Sequence, residues 1–169
     1  NKGQQAAFLD VIKFINDPTQ KYMDVSGGAG TGKTYFISQI AENILKHKDA
    51  GIPLHTVAIT ATTNKAAAVI SDAMPQRAGE IGTIYTFMNL RVQENFATGE
   101  SSVIPTPRWA VHSGMFVIID ECSMVDAELG RDLMSFGCPL LVLGDPAQLP
   151  PIQGGGFFTD CEPDAMLTE

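Results

Sequence analysis

Basic residues nearly vanish from the last third of this chain. From Phe116 onward Arg131 stands alone against ten acidic residues, whereas residues 1–50 hold six Lys/Arg against five Asp/Glu and residues 51–115 hold four against four. The net charge of −8 gives no bulk sign of a nucleic-acid partner. It does not exclude one, because the acidic excess lies apart from the near-neutral middle. The same shortage counts against a small-molecule kinase, whose lid needs basic side chains. Cysteine is scarce too: Cys122, Cys138 and Cys161 form neither a close pair nor a metal-ligand cluster, which excludes a disulfide framework and fits a reducing interior. No apolar run approaches the length of a membrane span. The polar N-terminus has no signal-peptide pattern, and its start without methionine reads as a trimmed or excerpted chain. Nothing repeats.

What is present begins with GGAGTGKTY, Gly27 to Tyr35, which follows the apolar run from Tyr22 to Val25 and opens into a segment of helical periodicity. Gly27, Gly32, Lys33 and Thr34 satisfy G-x-x-x-x-G-K-[ST] in a strand–loop–helix context. Small residues at Gly28, Ala29, Gly30, Thr31 and Gly32 let successive backbone N–H groups converge on phosphate oxygens, and the helix N-terminus adds a favourable field. Lys33 can reach between the terminal phosphates and the Thr34 hydroxyl can hold Mg²⁺. A bare glycine turn explains neither Lys33 nor Thr34. The stretch is a nucleoside triphosphate site.

At 169 residues and 44% apolar, the chain fits one domain with a sizeable core. Apolar spacing over Gly3 to Ile15 predicts an amphipathic helix, and Asp17-Pro18 ends it. A first strand is expected over Tyr22 to Val25, with a helix from the phosphate loop to about His47 and a turn at Asp49 to Pro53. His55 to Thr60 reads as a second strand and Lys65 to Met74 as a helix capped by Asn64 or Thr63. Pro75 to Gly82 reads as a loop, and Thr83 caps a short helix through about Leu90. Residues 91–113 are too polar for core strands and read as a small hairpin excursion with its turn at Thr98-Gly99-Glu100. The core resumes with the buried strand Met115 to Ile119, a helix from Val125 to Met134 and a strand from Pro139 to Leu143. The remainder reads as a proline-rich loop, a glycine run and an unstructured acidic end. Strands alternating with helices give an α/β layered domain.

Asp120-Glu121 leaves the strand that ends at Ile119, and ligands in open α/β sheets bind beyond strand C-termini. Asp120 would hold Mg²⁺, largely through water, and Glu121 would take the proton of an attacking water. Gln148, in Gly144 to Pro151, suits a sensor of the γ-phosphate, stiffened by flanking prolines. In Thr60 to Ala67, TATTNKAA, the hydroxyls, Asn64, Lys65 and the helix N-terminus either bind backbone phosphates of a polynucleotide or simply cap the helix. Thr83 and Tyr85 add a hydroxyl and an aromatic. The amide of Gln4 or Gln5 can read a purine edge, cap the first helix or face water. Phe96 and Trp109 pack the small lobe more readily than they stack on a base.

Together these stretches resemble the first motor domain of superfamily 1 helicases, in the RecD-like branch that includes the Dda and Pif helicases, of phage or bacterial type. GGAGTGKT at 27–34 matches motif I, TATTNKAA at 60–67 is similar to motif Ia, and Asp120-Glu121-Cys122-Ser123 looks like motif II. Gly144 to Pro151 matches motif III. Gly82 to Thr86 is similar to the family's T-I-H-S segment, with Tyr85 where histidine is usual. The resemblance implies a RecA-like P-loop NTPase fold: three layers, a mainly parallel sheet and a small hairpin insertion. Residues 1–90 and 114–169 would form motor domain 1A and 91–113 a 1B-like hairpin that separates strands. It implies ATP and Mg²⁺ as cofactors, with Lys33, Glu121 and Gln148 catalytic, Thr34 and Asp120 on the metal, and Gln4 on adenine. Thr60, Asn64, Lys65, Thr83 and Tyr85 would contact single-stranded DNA, with movement 5′ to 3′.

A second RecA-like domain, carrying motifs IV to VI and the arginines that complete the site, is expected to follow residue 169. Such a protein would be monomeric, free of the membrane, and at work in the cytoplasm of a bacterial or phage-infected cell in DNA replication, recombination or repair. Two rival functions share parts of the pattern. A non-helicase P-loop ATPase of DNA metabolism would carry motif I and the acidic pair but has no need of TATTNKAA or GDPAQLPP. A nucleotide- or nucleic-acid-binding module without activity has no need of intact Lys33, Asp120, Glu121 and Gln148.

Overall fold

The computed structural model describes residues 2–47, 56–74, 80–88, 90–105, 115–147, 156–158 and 163–168. In chain order these form α1 (Lys2–Ile15), β1 (Tyr22–Gly27), α2 (Lys33–His47), β2 (Thr56–Ala61), α3 (Asn64–Ala73), β3 (Glu80–Thr83) and α4 (Ile84–Met88). The hairpin strands β4 (Leu90–Glu94) and β5 (Ser101–Pro105) come next, then β6 (Met115–Ile119), α5 (Ala127–Ser135), β7 (Leu140–Gly144) and β8 (Ala165–Leu167). The main sheet has six strands in the order β3-β2-β6-β7-β1-β8. Every pairing in it is parallel.

Alternation along the strands sorts side chains onto two faces. Phe116 and Ile118 of β6 join Val57 and Ile59 of β2 and Leu141 and Leu143 of β7 under α1, α2 and α3. Met115, Val117 and Ile119 turn to the other face with Leu140 and Val142, beneath α4 and α5. Strands buried on both faces read as continuous apolar runs, which is why β6 and β7 are legible without any 2-residue period. Cys122 and Cys138 belong to the second core. Burial pushes the Cys122 thiol up to about 12, helped by the charges of Asp24 and Asp120, and Cys138 to about 11. Both are inert thiols at neutral pH.

Two expectations are corrected at the sheet edges. Residues 80–82, read as loop, belong to β3, which pairs with β2 from Ala58↔Glu80 to Ala61↔Thr83. The acidic end contains β8, whose Ala165 and Leu167 are buried beside β1 while Met166 faces outward. Both strands are too short to carry a pattern of their own, and it is the neighbouring strand's hydrogen bonds that hold them. Helix α4 stops at Met88, short of Leu90, which opens the hairpin. Helix α5 starts at Ala127 rather than Val125, because the Asp126 side chain caps it by accepting from Leu129 N at 2.8 Å. A 3₁₀ turn over Cys122–Met124 fills the gap after β6. The expected turn at Asp49 to Pro53 and His55 lie outside the described residues. No described helix is long and apolar enough to cross a membrane.

Candidate functional site

β1 enters the phosphate loop at Gly27 and α2 leaves it at Lys33. Gly30 and Gly32 have φ of +80° and +78°, a region open to glycine and strained for other residues. Side chains at Gly28 or Gly30 would meet no atom within 4 Å, so their backbones look into open space that a bound anion can enter. Thr31 is buried, and its hydroxyl donates to the Gly28 carbonyl at 2.9 Å, which tightens the loop from within. The first i to i−4 bond out of the loop, Phe36 N to Gly32 O, is 2.9 Å long. The preceding N–H groups of the first turn are the orphan donors of a helix start. The Lys33 ammonium donates to the carbonyls of Gly27 (2.7 Å) and Gly28 (3.1 Å), and so lies across the loop mouth. The open cradle, that ammonium and the Thr34 hydroxyl form a donor set that fits a magnesium-bound triphosphate.

The acidic pair emerges two strands away, with β7 between. Asp120 extends β6 by donating its N–H to the Thr60 carbonyl at 2.8 Å. Burial pushes its carboxyl pKa up, the Glu121 charge adds to this, and the Glu121 N–H bond and Lys33 pull the other way. Glu121 is the only non-glycine with positive φ among the described residues, at φ 57° and ψ 50°. Its N–H donates to Asp120 Oδ1 at 3.0 Å and its carbonyl accepts from Met124 N at 3.2 Å. That conformation costs about 1–2 kcal/mol in an ordinary residue. It turns the chain sharply so that both carboxylates stay at the sheet edge.

Gly28, Gly30, Gly32, Lys33 and Thr34 line one cavity of about 590 Å³ together with Asp120 and Glu121. Its remaining wall was not anticipated from the sequence: it is helix α3, through Thr63, Lys65, Ala66, Val69 and Ile70. The spacing of Lys65, Ala66, Val69 and Ile70 is one helical stripe. A second cavity, of about 520 Å³, opens between α1 and α2 and is lined by Gln4, Gln5, Leu9, Tyr35, Phe36 and Gln39 among others. Gln4 joins it to the loop, donating Nε2 to the Thr31 carbonyl at 2.9 Å.

The residues expected to meet DNA divide by burial. Thr60 is 1% exposed and its hydroxyl donates to the Ile118 carbonyl at 3.1 Å, so it stitches β2 to β6. Thr83 is buried as well, and its hydroxyl caps α4 by accepting from Thr86 N at 3.1 Å. Asn64 and Lys65, on the first turn of α3, and Tyr85, on α4, are exposed. These two helices leave the paired ends of β2 and β3 on opposite faces of the sheet. Phe96, expected to pack the small lobe, is instead 95% exposed at the hairpin turn. Trp109 and Gln148 lie outside the described residues; the loop toward Gln148 leaves β7, between the phosphate loop and the acidic pair.

One buried carboxylate escaped the sequence reading. Asp24 points to the second face from β1, and burial together with the Asp164 charge lifts its pKa to about 6. Its backbone N–H donates to Asp164 Oδ2 and its carbonyl accepts from Asp164 N, both at 2.9 Å. A lone acid inside a short strand carries no periodic signal.

Comparison with known proteins agrees with this architecture. The chain is 29% identical over 170 residues to uncharacterized protein R530 of Acanthamoeba polyphaga mimivirus, a match covering 90% of this chain and 33% of that protein. Its fold is similar to the Pif1 helicase of Candida albicans, with a TM-score of 0.59 at 21% identity, over 100% of this chain and 40% of that one. It is similar also to Bacteroides Pif1 solved bound to ssDNA, with a TM-score of 0.52 at 22% identity, over 87% of this chain and 37% of that one. The chain thus spans well under half the length of each of these relatives. A family profile described as "AAA domain" matches residues 13–154. With its parallel sheet, phosphate loop and acidic pair, the chain has the RecA-like P-loop NTPase fold and belongs to the AAA domain family.

Proposed function

We propose that this chain is the N-terminal motor domain of a superfamily 1 DNA helicase of the RecD-like, Dda-like and Pif-like branch, driven by ATP and Mg²⁺ along single-stranded DNA in the 5′ to 3′ direction. The observation that carries this reading is the shared cavity. The phosphate loop, Asp120-Glu121 and the first turns of α3, which carry the exposed Asn64, form adjoining walls. A site built this way puts the nucleotide and a polynucleotide-binding helix in mechanical contact, which a motor needs and a simple NTPase does not. Residues 1–90 and 114–169 serve as domain 1A, and 91–113 as the 1B hairpin with Phe96 presented at its turn. A second RecA-like domain of the same polypeptide closes the other side of the site.

Each residue has a definite task in that reading. The loop N–H groups bind the phosphates and Gln4 holds the loop while its neighbours receive the adenine. Thr34 and Asp120 hold Mg²⁺, which when bound offsets the charge of the β- and γ-phosphates. Lys33 exchanges the carbonyls of Gly27 and Gly28 for phosphate oxygens, a charge-assisted pairing stronger than the one it leaves. Glu121 accepts the proton of the water, held at the cavity rim by its left-handed backbone. Gln148, in the segment Gly144 to Pro151, reports the γ-phosphate to the DNA side.

The test is ATP hydrolysis by the full-length protein with and without single-stranded DNA, repeated for Lys33→Ala and Glu121→Gln. Stimulation by the DNA, lost in both variants, is expected. An intact protein whose hydrolysis ignores single-stranded DNA rules out the motor.

A further inference from the structure

We infer that Lys65 is a second phosphate-binding cation of the nucleotide site, supplied from within this domain to the terminal phosphate. The sequence pattern places Lys65 in a loop-and-helix segment associated with a polynucleotide. The structure puts it in the wall of the cavity that also holds Lys33, Thr34, Asp120 and Glu121. Among the described residues its ammonium has no ion-pair or hydrogen-bond partner, whereas Lys33 is engaged by two loop carbonyls.

The position in the sheet decides which phosphate it serves. The strand order sets β6 and β2 to one side of β1, and Asp120, Glu121 and α3 all leave that side. The second cavity, between α1 and α2, lies toward Gln4 and Tyr35. A triphosphate with its base toward Gln4 therefore points its terminal phosphate at Glu121 and the α3 wall. There the charged residues among the described lining are Asp120 and Glu121 against Lys33 and Lys65. Without Lys65, Lys33 is the sole side-chain cation among the described residues lining the cavity to face a γ-phosphate that must approach a carboxylate. The Lys65 side chain rises from the first turn of α3, at the positive end of the helix dipole, which favours an anion at the same place. Thr63 fixes that turn by accepting from Ala66 N at 3.1 Å.

The inference rests on the proposed nucleotide site, and its consequence is selectivity for the triphosphate over the diphosphate. The chemistry recognised is a phosphate, so a nucleic-acid backbone is the competing source. In the full-length protein, binding of fluorescent ATP and ADP with Mg²⁺ is titrated alongside binding of a short oligothymidylate without nucleotide. The variants are Lys65→Ala, Lys65→Arg and Lys33→Ala. Alanine is a strong helix former at an exposed helical position, so Lys65→Ala folds. Expected is an ATP affinity lowered about tenfold in Lys65→Ala with ADP affinity within about twofold, partly restored in Lys65→Arg. An unchanged ATP-to-ADP ratio overturns the inference. A fall in oligothymidylate affinity in that case assigns Lys65 to the polynucleotide. If Lys33→Ala leaves ATP binding intact, the nucleotide site itself has been misplaced, a failure distinct from that of Lys65.

Discussion

The side-chain amide of Gln4 donates to the main-chain carbonyl of Thr31, 27 residues away, and so clamps the first helix to the phosphate loop. The clamp lies over Gly32, where an added Cβ would sit 2.6 Å from Gln4 Nε2. Gln4→Ala should loosen the loop and weaken nucleotide binding by about 1 kcal/mol, the ordinary value of one hydrogen bond. Gly32→Ala should cost more, because it combines that clash with a φ of +78°. Titration with a fluorescent nucleotide ranks the two; an order reversed from this one argues that Gln4 acts on the base alone.

Strain at Glu121 sets stability against function. Replacing it with glycine removes the left-handed penalty, so Glu121→Gly should raise stability by about 1 kcal/mol in urea unfolding. The same variant should lose nucleotide hydrolysis. Glu121→Gln keeps the strain and should bind nucleotide without turning it over. A Glu121→Gly protein less stable than the parent would show that the side chain makes contacts worth more than the backbone cost.

Asp24 predicts a pH dependence of opposite sign to that of a salt-bridged acid. Its folded pKa of about 6 lies above the unfolded value, near 4. The folded state therefore holds the proton more tightly, and stability is lost as pH rises from about 4 through 6. Asp24→Asn should be more stable than the parent by roughly 1–3 kcal/mol at pH 7, the two converging near pH 4. Urea midpoints across that range give the answer, and a constant difference at every pH would refute it.

Thr60 is buried at the position where the resemblance puts a DNA contact. Thr60→Val preserves shape and deletes the bond to Ile118. A loss of about 1 kcal/mol in stability with unchanged oligonucleotide affinity is expected. Weakened DNA binding at full stability would restore the family's role for this residue.

Phe96 offers the cleanest separation of unwinding from hydrolysis. With 95% of its surface exposed, the side chain contributes little to folding. Phe96→Ala should leave DNA-stimulated hydrolysis near its parent rate while cutting duplex unwinding about tenfold, in line with stacking worth about 1–3 kcal/mol per base. Equal losses in both assays would place Phe96 in the motor cycle instead.

The phosphate loop, the buried strands β6 and β7, the helices α1 to α5 and the hairpin are legible in the sequence, because each is specified locally. Continuous apolar runs, a 3.6-residue period, capping residues such as Thr63 and Asp126, and glycines with positive φ all act within a few residues. Lys33, Thr34, Asp120 and Glu121 were legible for the same reason, as residues on short motifs at strand ends. Tertiary structure decided what depends on partners far along the chain. The edge strands β3 and β8 exist through hydrogen bonds to β2 and β1. The burial of Thr60, the raised pKa of Asp24 and the reach of Gln4 to Thr31 come from neighbours that no local window contains. The placement of Lys65 in the wall of the phosphate-loop cavity follows from the strand order together with the packing of α3 against α2, which carries it across β6 and β7, the strands between β2 and β1.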